Sequence, residues 1–554
     1  MTRRQFVQSV AALGGVRRLT ARELEADVVI IGGGVGGCAA ALAAARSGSR
    51  VILTEETDWI GGQLTQQAVP PDEHPWVERV GATSTYRSYR ALVRRYYREH
   101  YPLTTEAQGT TFLNPGNCSV SAICHEPRVA LAVLECMLAP HVSSGRLLIL
   151  RRHVPVSADA DADRLRSVSV RDLESGDERS LTGRYFLDAT ELGDLLPLSG
   201  TEYVSGAESQ AQTGELHAPS EPDPDNVQAF TWCLVMDYVP RANHTIEKPR
   251  DYDFWRGFIP RLNPPWPGPL LSLTYSDPRT LKPRSLPFDP LRDGPGHEGG
   301  LWAYRRLLNR ANFRDGSGYS GDICLVNWPQ NDYWLGNLID CGPAEAALHG
   351  ERARQLSLSL LYWLQTEAGW PGLRPRGDLA GTSDGLAKRP YIRESRRIKA
   401  EFTVLEEHVG AEQRRKLTGL PDGEVTAAEF PDSVGIGSYR IDLHPSTGGD
   451  NYIDIASLPF EIPLGALIPV RMENLLPAAK NIGVTHITNG CYRLHPVEWN
   501  IGEVAGALAD ASIVSSAKPR AIRNSPAALE RFQRGLGSQG IEIRWPRELR
   551  TAVR

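Results

Sequence analysis

The sequence predicts an α/β fold built on a Rossmann-like dinucleotide-binding unit, and three observations carry that expectation. Asp27 to Thr65 reads as a strand, a glycine-rich turn, a helix and a second strand. Arg146 to Thr190 alternates apolar and polar residues with period two, as half-buried strands do. At 554 residues the chain exceeds a single core and implies two to four domains.

In chain order, Val28 to Ile31 is a β-branched apolar run of the length of a buried parallel strand. Gly32, Gly34 and Gly37 give the G-x-G-x-x-G spacing: one glycine for the tight turn, one for backbone approach to a pyrophosphate, one for helix–strand packing. Ala39 to Arg46 is a good helix former whose positive end faces the phosphates, and Gly48 stops it. Val51 to Thr54 is the next strand. Glu55 ends it, placing a carboxylate where a ribose diol needs an acceptor and where a 2′-phosphate would be repelled.

Thr85 to His100 carries Tyr86, Tyr89, Val93, Tyr96 and Tyr97 at helical spacing, which predicts an amphipathic helix with its arginines on a solvated face. Pro127 opens a second clean helix. The paired runs Leu148/Leu150, Val154/Val156 and Val168/Val170 predict strands. Asp159, Asp161 and Asp163 lack the glycine and glutamate of a calcium loop and read as a solvated turn, and no metal site is expected. Phe186 to Gly200 predicts a strand ending in Asp188-Ala189-Thr190, with Gly193-Asp194 heading a short helix. From about Gly206 to Gly321, Pro and Trp crowd in without periodicity; the aromatic content predicts packed irregular structure, a cap over a substrate pocket. Pro343 to Glu367 predicts a long helix, and Val504 to Leu508 a helix starting near Trp499 to Gly502. The arginine-rich end after Pro519 reads as a surface tail.

Composition narrows the function. A formal net charge of -5 argues against nucleic acid as the main partner, and no run of eighteen apolar residues suggests a membrane span. The eight scattered cysteines include no C-x-x-C and suit reduced, mostly buried thiols. Thr2-Arg3-Arg4-Gln5-Phe6-Val7 resembles a twin-arginine export signal, but the apolar region after it is meagre, so a cytoplasmic location with a basic N-terminal segment is favoured.

The glycine turn, the Gly61-Gly62-Gln63 loop, the DAT-x-x-GD strand end (with Glu191 where glycine is usual), YIRESRR from Tyr391, SYRIDLH up to His444, and NLLPAAKNIG followed by H, R and G-x-x-AG together resemble the FAD-dependent oxidoreductases of the glutathione-reductase-like superfamily. The resemblance covers most of Asp27 to Ala509, except the Pro/Trp-rich middle. It implies FAD as cofactor. The implied organisation is an N-terminal segment 1–25, a discontinuous FAD-binding domain (26–200 and 431–516), a mixed α/β substrate or cap domain 201–430, and a tail 517–554.

Carried over, Gly32, Gly34, Gly37, Glu55, Gly61, Gly62, Gln63, Val154, Ala189 and Gly502 resemble FAD contacts. His444, His486, Arg493 and His495 fall where the family lines the flavin and substrate pocket. A histidine is then expected as base and Arg493 as electrostatic clamp, while Tyr391, Arg393 and Arg397 face the substrate or form structural salt bridges. The resemblance implies a dehydrogenase or oxidase moving hydride from a polar small molecule to flavin N5. An NAD(P)H-dependent flavin monooxygenase and a non-catalytic flavin electron-transfer subunit stand as alternatives. The substrate, the electron acceptor and the oligomeric state are left open.

Overall fold

The computed structural model describes residues 23–292 and 300–554, so the twin-arginine-like segment lies outside the described residues. Strand β1 (Leu24–Ile31), helix α1 (Val35–Ser47) and strand β2 (Val51–Glu55) form the first unit, with β1 and β2 parallel and Val28 opposite Val51. Successive β1 side chains point to opposite faces: Val28 and Ile30 enter the large core, Val29 and Ile31 a smaller one on the far side. Gly32 is required at its position, because its φ is +101° and a Cβ there would lie 2.3 Å from the Ala189 carbonyl oxygen.

Helices α2 (Ser84–His100) and α3 (Pro127–Ser143) follow, then β3 (Leu147–Arg151), β4 (His153–Asp161), β5 (Arg164–Asp172) and β6 (Glu178–Asp188). The Tyr and Val stripe of α2 is buried as predicted, but its arginine face is only partly solvated. Arg90 and Arg94 are buried and paired with Glu73 and Glu78 from the irregular stretch before the helix. Burying a guanidinium costs several kcal/mol unless it is paired, so these carboxylates are what permits the burial.

The cap places β7 (Leu234–Tyr238), β8 (Arg306–Leu308), β9 (Ile323–Val326) and β10 (Leu373–Pro375) in an antiparallel sheet of order β8-β9-β7-β10, backed by helix α4 (Pro343–Thr366). Trp255, Trp266, Trp302, Trp328 and Trp334 fill its core, so the Pro/Trp-rich stretch is packed structure. Strand β11 (Leu475–Pro477) then returns to pair in parallel with the end of β6, giving the main order β3-β2-β1-β6, with β5-β4 antiparallel on the other half of β6. Helix α5 (His495–Ser515) lies along α1, and α6 (Pro526–Ser538) follows.

Two expectations fail at this level. The C-terminal stretch is no surface tail: Phe532, Leu536 and Ile541 join the main core, and Trp545 is buried with its Nε1 donating to Gly437 O and Phe460 O. The cysteines are not all reduced, since Cys118 and Cys124 form a disulfide within a loop that Gly116 N–H closes onto Cys124 O. Of the others, Cys38, Cys233, Cys324 and Cys491 are buried free thiols. No described helix is long and apolar enough to cross a membrane.

Candidate active site

Two cavities meet across one segment of chain. The first, about 880 Å³, is lined by Gly32 to Gly34, Thr54, Glu55, Glu56, Gln66, Gln67, His153 to Pro155, Ala189 to Leu192, Asp194, Leu338, Arg389, Pro390 and Ile392. The second, about 1370 Å³, includes Tyr275, Arg305, Asn327, Trp328, Arg393, Tyr439, Asp442, His444 and Tyr452 in its wall. Arg389, Pro390 and Ile392 face one and Arg393 the other, with buried Tyr391 between them.

The first cavity sits at the carboxyl ends of β1, β2 and β6, where open parallel sheets bind ligands. The N-terminus of α1 opens toward it, and the Gly61-Gly62-Gln63 loop is drawn onto the glycine turn by the Gly61 N–H to Gly33 O bond of 2.7 Å. A Cβ at Gly37 would meet Gly32 O at 2.0 Å, so Gly37 serves turn–helix packing. Glu55 is buried, accepts from Thr57 N–H at 2.7 Å, and is pushed up to about 8 by burial and then by neighbouring Glu56. In cofactor-free protein at neutral pH the Glu55 carboxyl is therefore largely protonated and able to donate as well as accept. Val154 and Ala189 line this cavity.

The residue set fits FAD. Glycines clear the diphosphate seat, and the buried side-chain amides of Gln66 and Gln67 carry polar atoms without partners in the wall. Those two glutamines were missed; the signal was their place directly after the glycine loop, in a polar run the fold buries. One feature resists. Glu191 Oε1 lies 3.0 Å from a Cβ built at Gly34 and 2.6 Å from one at Gly62, so this carboxylate leans over both glycines. Its other oxygen pairs with Lys480, whose ammonium also holds Glu498 at 3.2 Å, and Glu498 in turn accepts from Gly36 N–H at 3.3 Å. A diphosphate seated at the glycine turn would have to displace the Glu191 carboxylate, and buried Lys480 would supply the opposing charge.

Gly502 is a correction. Helix α5 starts at His495, not near Trp499, which puts Gly502 in its third turn; a Cβ there would lie 2.0 Å from Gly36 O, so it packs α5 onto α1 and does not line the cofactor cavity. Pro496 in the first turn was the overlooked start signal. Gln63 donates to Glu498 and to Arg493 O, tying the glycine loop to the start of α5.

The predicted polar residues separate into distinct roles. His444 lines the second cavity; its Nδ1 bonds Asp332 Oδ2 at 2.7 Å and its Nε2 faces Asp442 Oδ2 at 3.3 Å. Burial pushes Asp332 up, but Arg393 and His444 outweigh it and hold the carboxyl down to about 2. Arg493 does not line either cavity. It reaches the second through Asp442 (3.0 Å) and the Tyr391 hydroxyl (2.9 Å).

His486 lines neither cavity: it is buried against Glu394 at 2.9 Å, which raises the imidazole despite the burial, while Glu394 is itself held to about 2 by His486 and Arg397 against burial. Arg397 is spent on Glu394, Glu208 at 2.8 Å and Gly206 O. The structural alternative is therefore the one realised for Arg397. His495 accepts the Asp72 N–H at Nδ1 (3.1 Å), leaving the proton on Nε2, and burial pushes it well below its ordinary value. This neutral imidazole lines neither cavity and its Nε2 has no hydrogen-bond partner among the described residues, which does not suit it as the base. Among the described residues no cluster of His, Cys, Asp or Glu could hold a metal ion.

Comparison with known proteins adds the family. A family model described as FAD dependent oxidoreductase matches residues 27–536. Bilirubin reductase of Mediterraneibacter gnavus (strain CC55_001C) is 29% identical over 143 residues, which is 25% of this chain and 20% of that protein, so the match spans about a fifth of the relative. Among solved structures, a variant of E. coli quinol fumarate reductase FrdA aligns over 94% of this chain and 74% of its own at 10% identity, with a TM-score of 0.32. L-proline dehydrogenase from P. horikoshii aligns over 34% of this chain and 24% of its own at 15% identity, with a TM-score of 0.17.

Proposed function

The chain belongs to the FAD-dependent oxidoreductase family, and from that premise we propose that it is a dehydrogenase or oxidase whose polar small-molecule substrate enters the second cavity and gives up its proton to His444. The observation that carries the reading is the placement of His444, the one of three predicted histidines on the wall of that cavity. Asp332, buried and ionised, fixes the ring through Nδ1 as an orienting carboxylate does in hydrolytic triads, so the proton moves at Nε2. Asp442, held well below the usual carboxylate range by His444 and Arg493 against burial, steadies the charged imidazole. Arg393 pairs with the other Asp332 oxygen at 3.0 Å, and the Tyr452 hydroxyl donates to the oxygen that His444 uses.

Bound FAD supplies the two-electron acceptor for the substrate's hydride. The residues that would hold it are the glycine turn and the Gly61-Gly62 loop drawn onto it for the diphosphate, Glu55 for the ribose and the strand of Val154 for the adenine, with Gln66 and Gln67 in the cavity wall. Tyr391, held by Arg493 through its hydroxyl, lies in the chain segment between the two cavities and would border the place where substrate and flavin meet.

The test is anaerobic mixing of the yellow protein with alcohols, amines and acids, followed at the flavin absorbance. With a reducing substrate in hand, His444→Ala is expected to slow reduction about 100-fold with FAD retained. His495→Gln is expected to reduce near the parental rate. Parental rates in His444→Ala, or a comparable loss in His495→Gln alone, would overturn the assignment.

A further inference from the structure

The second cavity carries an imprint of its ligand, and the identity of that ligand deepens the oxidoreductase reading, on which it rests. Four of its wall residues, each at most 7% exposed, have hydrogen-bonding capacity left over. Arg393 spends Nη1 on Ala229 O (2.9 Å) and Thr231 Oγ1 (2.8 Å) and Nη2 on Asp332 (3.0 Å), and its Nε has no partner. Asn327 gives Oδ1 to Arg393 Nη2 at 3.3 Å, which leaves Nδ2 unpartnered. Trp328 Nε1 and Arg305 Nε are likewise buried and unpartnered. Every such orphan on this wall, among the described residues, is a nitrogen donor.

The wall's acceptors are already engaged. Asp277 pairs with Arg284, Asp454 with Arg279 and Arg440, and Asp442 with Arg493 and His444. A buried donor left without an acceptor costs about 1–3 kcal/mol, so an acceptor-rich ligand relieves a cost that several residues share. The rings of Tyr275, Tyr304, Tyr439, Tyr452 and Trp328 supply the aromatic part of the wall.

We propose that this cavity receives a carboxylate carried on a flat apolar body, its oxygens accepting from Arg393 and Asn327 with Trp328 and Arg305 as further donors. A carboxylate suits this set because it is an acceptor at both oxygens, planar like the guanidinium and amide that meet it, and of opposite charge to the two arginines.

The probes are 2-naphthoate, the uncharged 2-naphthamide and 2-naphthyl phosphate, titrated calorimetrically into the FAD-loaded protein. Naphthoate is expected to bind about 10- to 100-fold tighter than the amide, the range that hydrogen bonds to charged groups supply. Asn327→Asp keeps the acceptor that Arg393 uses and puts a carboxylate where the free donor was. It is expected to erase the preference for naphthoate while leaving amide binding, FAD content and melting temperature close to parental. Should Asn327→Asp lose FAD or fold poorly, Trp328→Phe keeps the ring, removes one donor, and is expected to weaken naphthoate several-fold and the amide little.

Equal affinity for acid and amide, tighter binding of the phosphate, or an unchanged acid-to-amide ratio in the variant that folds would each overturn the proposal. Failure of the proton-transfer reading has a different signature. A His444→Ala protein reduced at the parental rate says nothing against the anion site as long as the naphthoate preference persists.

Discussion

At the scale of single residues, identical side chains diverge because their neighbours differ. His444, His486 and His495 all lie in segments that the family resemblance marks as pocket-forming, yet one is oriented on a cavity, one is an ion-pair partner, and one is a buried neutral acceptor. Glu55 shows the same dependence in a form that stability can read. Its folded value of about 8 stands above the ordinary 4.5, so the folded protein keeps a proton that the unfolded chain has released. Stability from this group is therefore complete below about pH 4.5, falls as pH rises toward 8, and is flat above. In FAD-stripped protein, Glu55→Gln is expected to abolish that share of the decline, gaining on the parent by up to a few kcal/mol at pH 8 and nothing at pH 4. Urea unfolding at the two pH values checks it, and a parent–variant gap independent of pH would contradict it. The sequence could place Glu55, because the spacing from the glycine turn is local. It could not separate the histidines, because the partner that decides, Asp332, lies 112 residues from His444.

At the scale of elements, the first βαβ unit was legible because every signal for it is contiguous: apolar run, glycines, alanine-rich helix, apolar run, acid. Helix α2 was legible as a helix and misread as a surface, since Glu73 and Glu78 come from a stretch without periodicity and nothing local announces that they bury Arg90 and Arg94. The start of α5 was misplaced and with it the role of Gly502. The structure gives that glycine a sharper purpose. Gly502 abuts Gly36 O and Gly506 abuts Ala40 O, while a Cβ on Gly36 would lie 1.8 Å from Ala478 O, so α1 is clamped between α5 and the chain leaving β11. Gly502→Ala must push α5 off α1 or shift the glycine turn. We expect a loss of about 1–3 kcal/mol in stability, the usual cost of overpacking, together with faster FAD release because the N-terminus of α1 moves. Chemical denaturation and the rate of flavin fluorescence gain on dilution measure the two effects. Parental values for both would show that the helices can separate freely.

At the scale of the molecule, one core runs from β1 through cap residues Cys233, Val235, Leu307 and Leu325 to Phe532 and Ile541 near the end of the chain. The cap also has its own aromatic core. The last sixteen residues show what this continuity does. Trp545 stacks edge-on against His74 and Trp76, Glu542 accepts from Gly81 N–H at 2.7 Å, and Gly540 O accepts from Ser84 N–H at the head of α2. His74 is two residues from Asp72, whose backbone N–H holds His495 and whose carboxylate holds Arg305 at 3.1 Å in the second cavity. The C-terminus therefore braces the loop whose Asp72 holds Arg305 in the wall of the second cavity. Trp545→Ala is expected to cost about 3–5 kcal/mol, as for other buried tryptophans, and to weaken naphthoate binding by loosening Arg305 even though Trp545 does not line the cavity. Removing residues 539–554 is expected to lower soluble yield and melting temperature further, since it also uncovers Gly81 and the start of α2. Melting curves and calorimetry on FAD-loaded protein decide. A Trp545→Ala protein that is destabilised but binds naphthoate like the parent would show that the tail supports the fold without reaching the site.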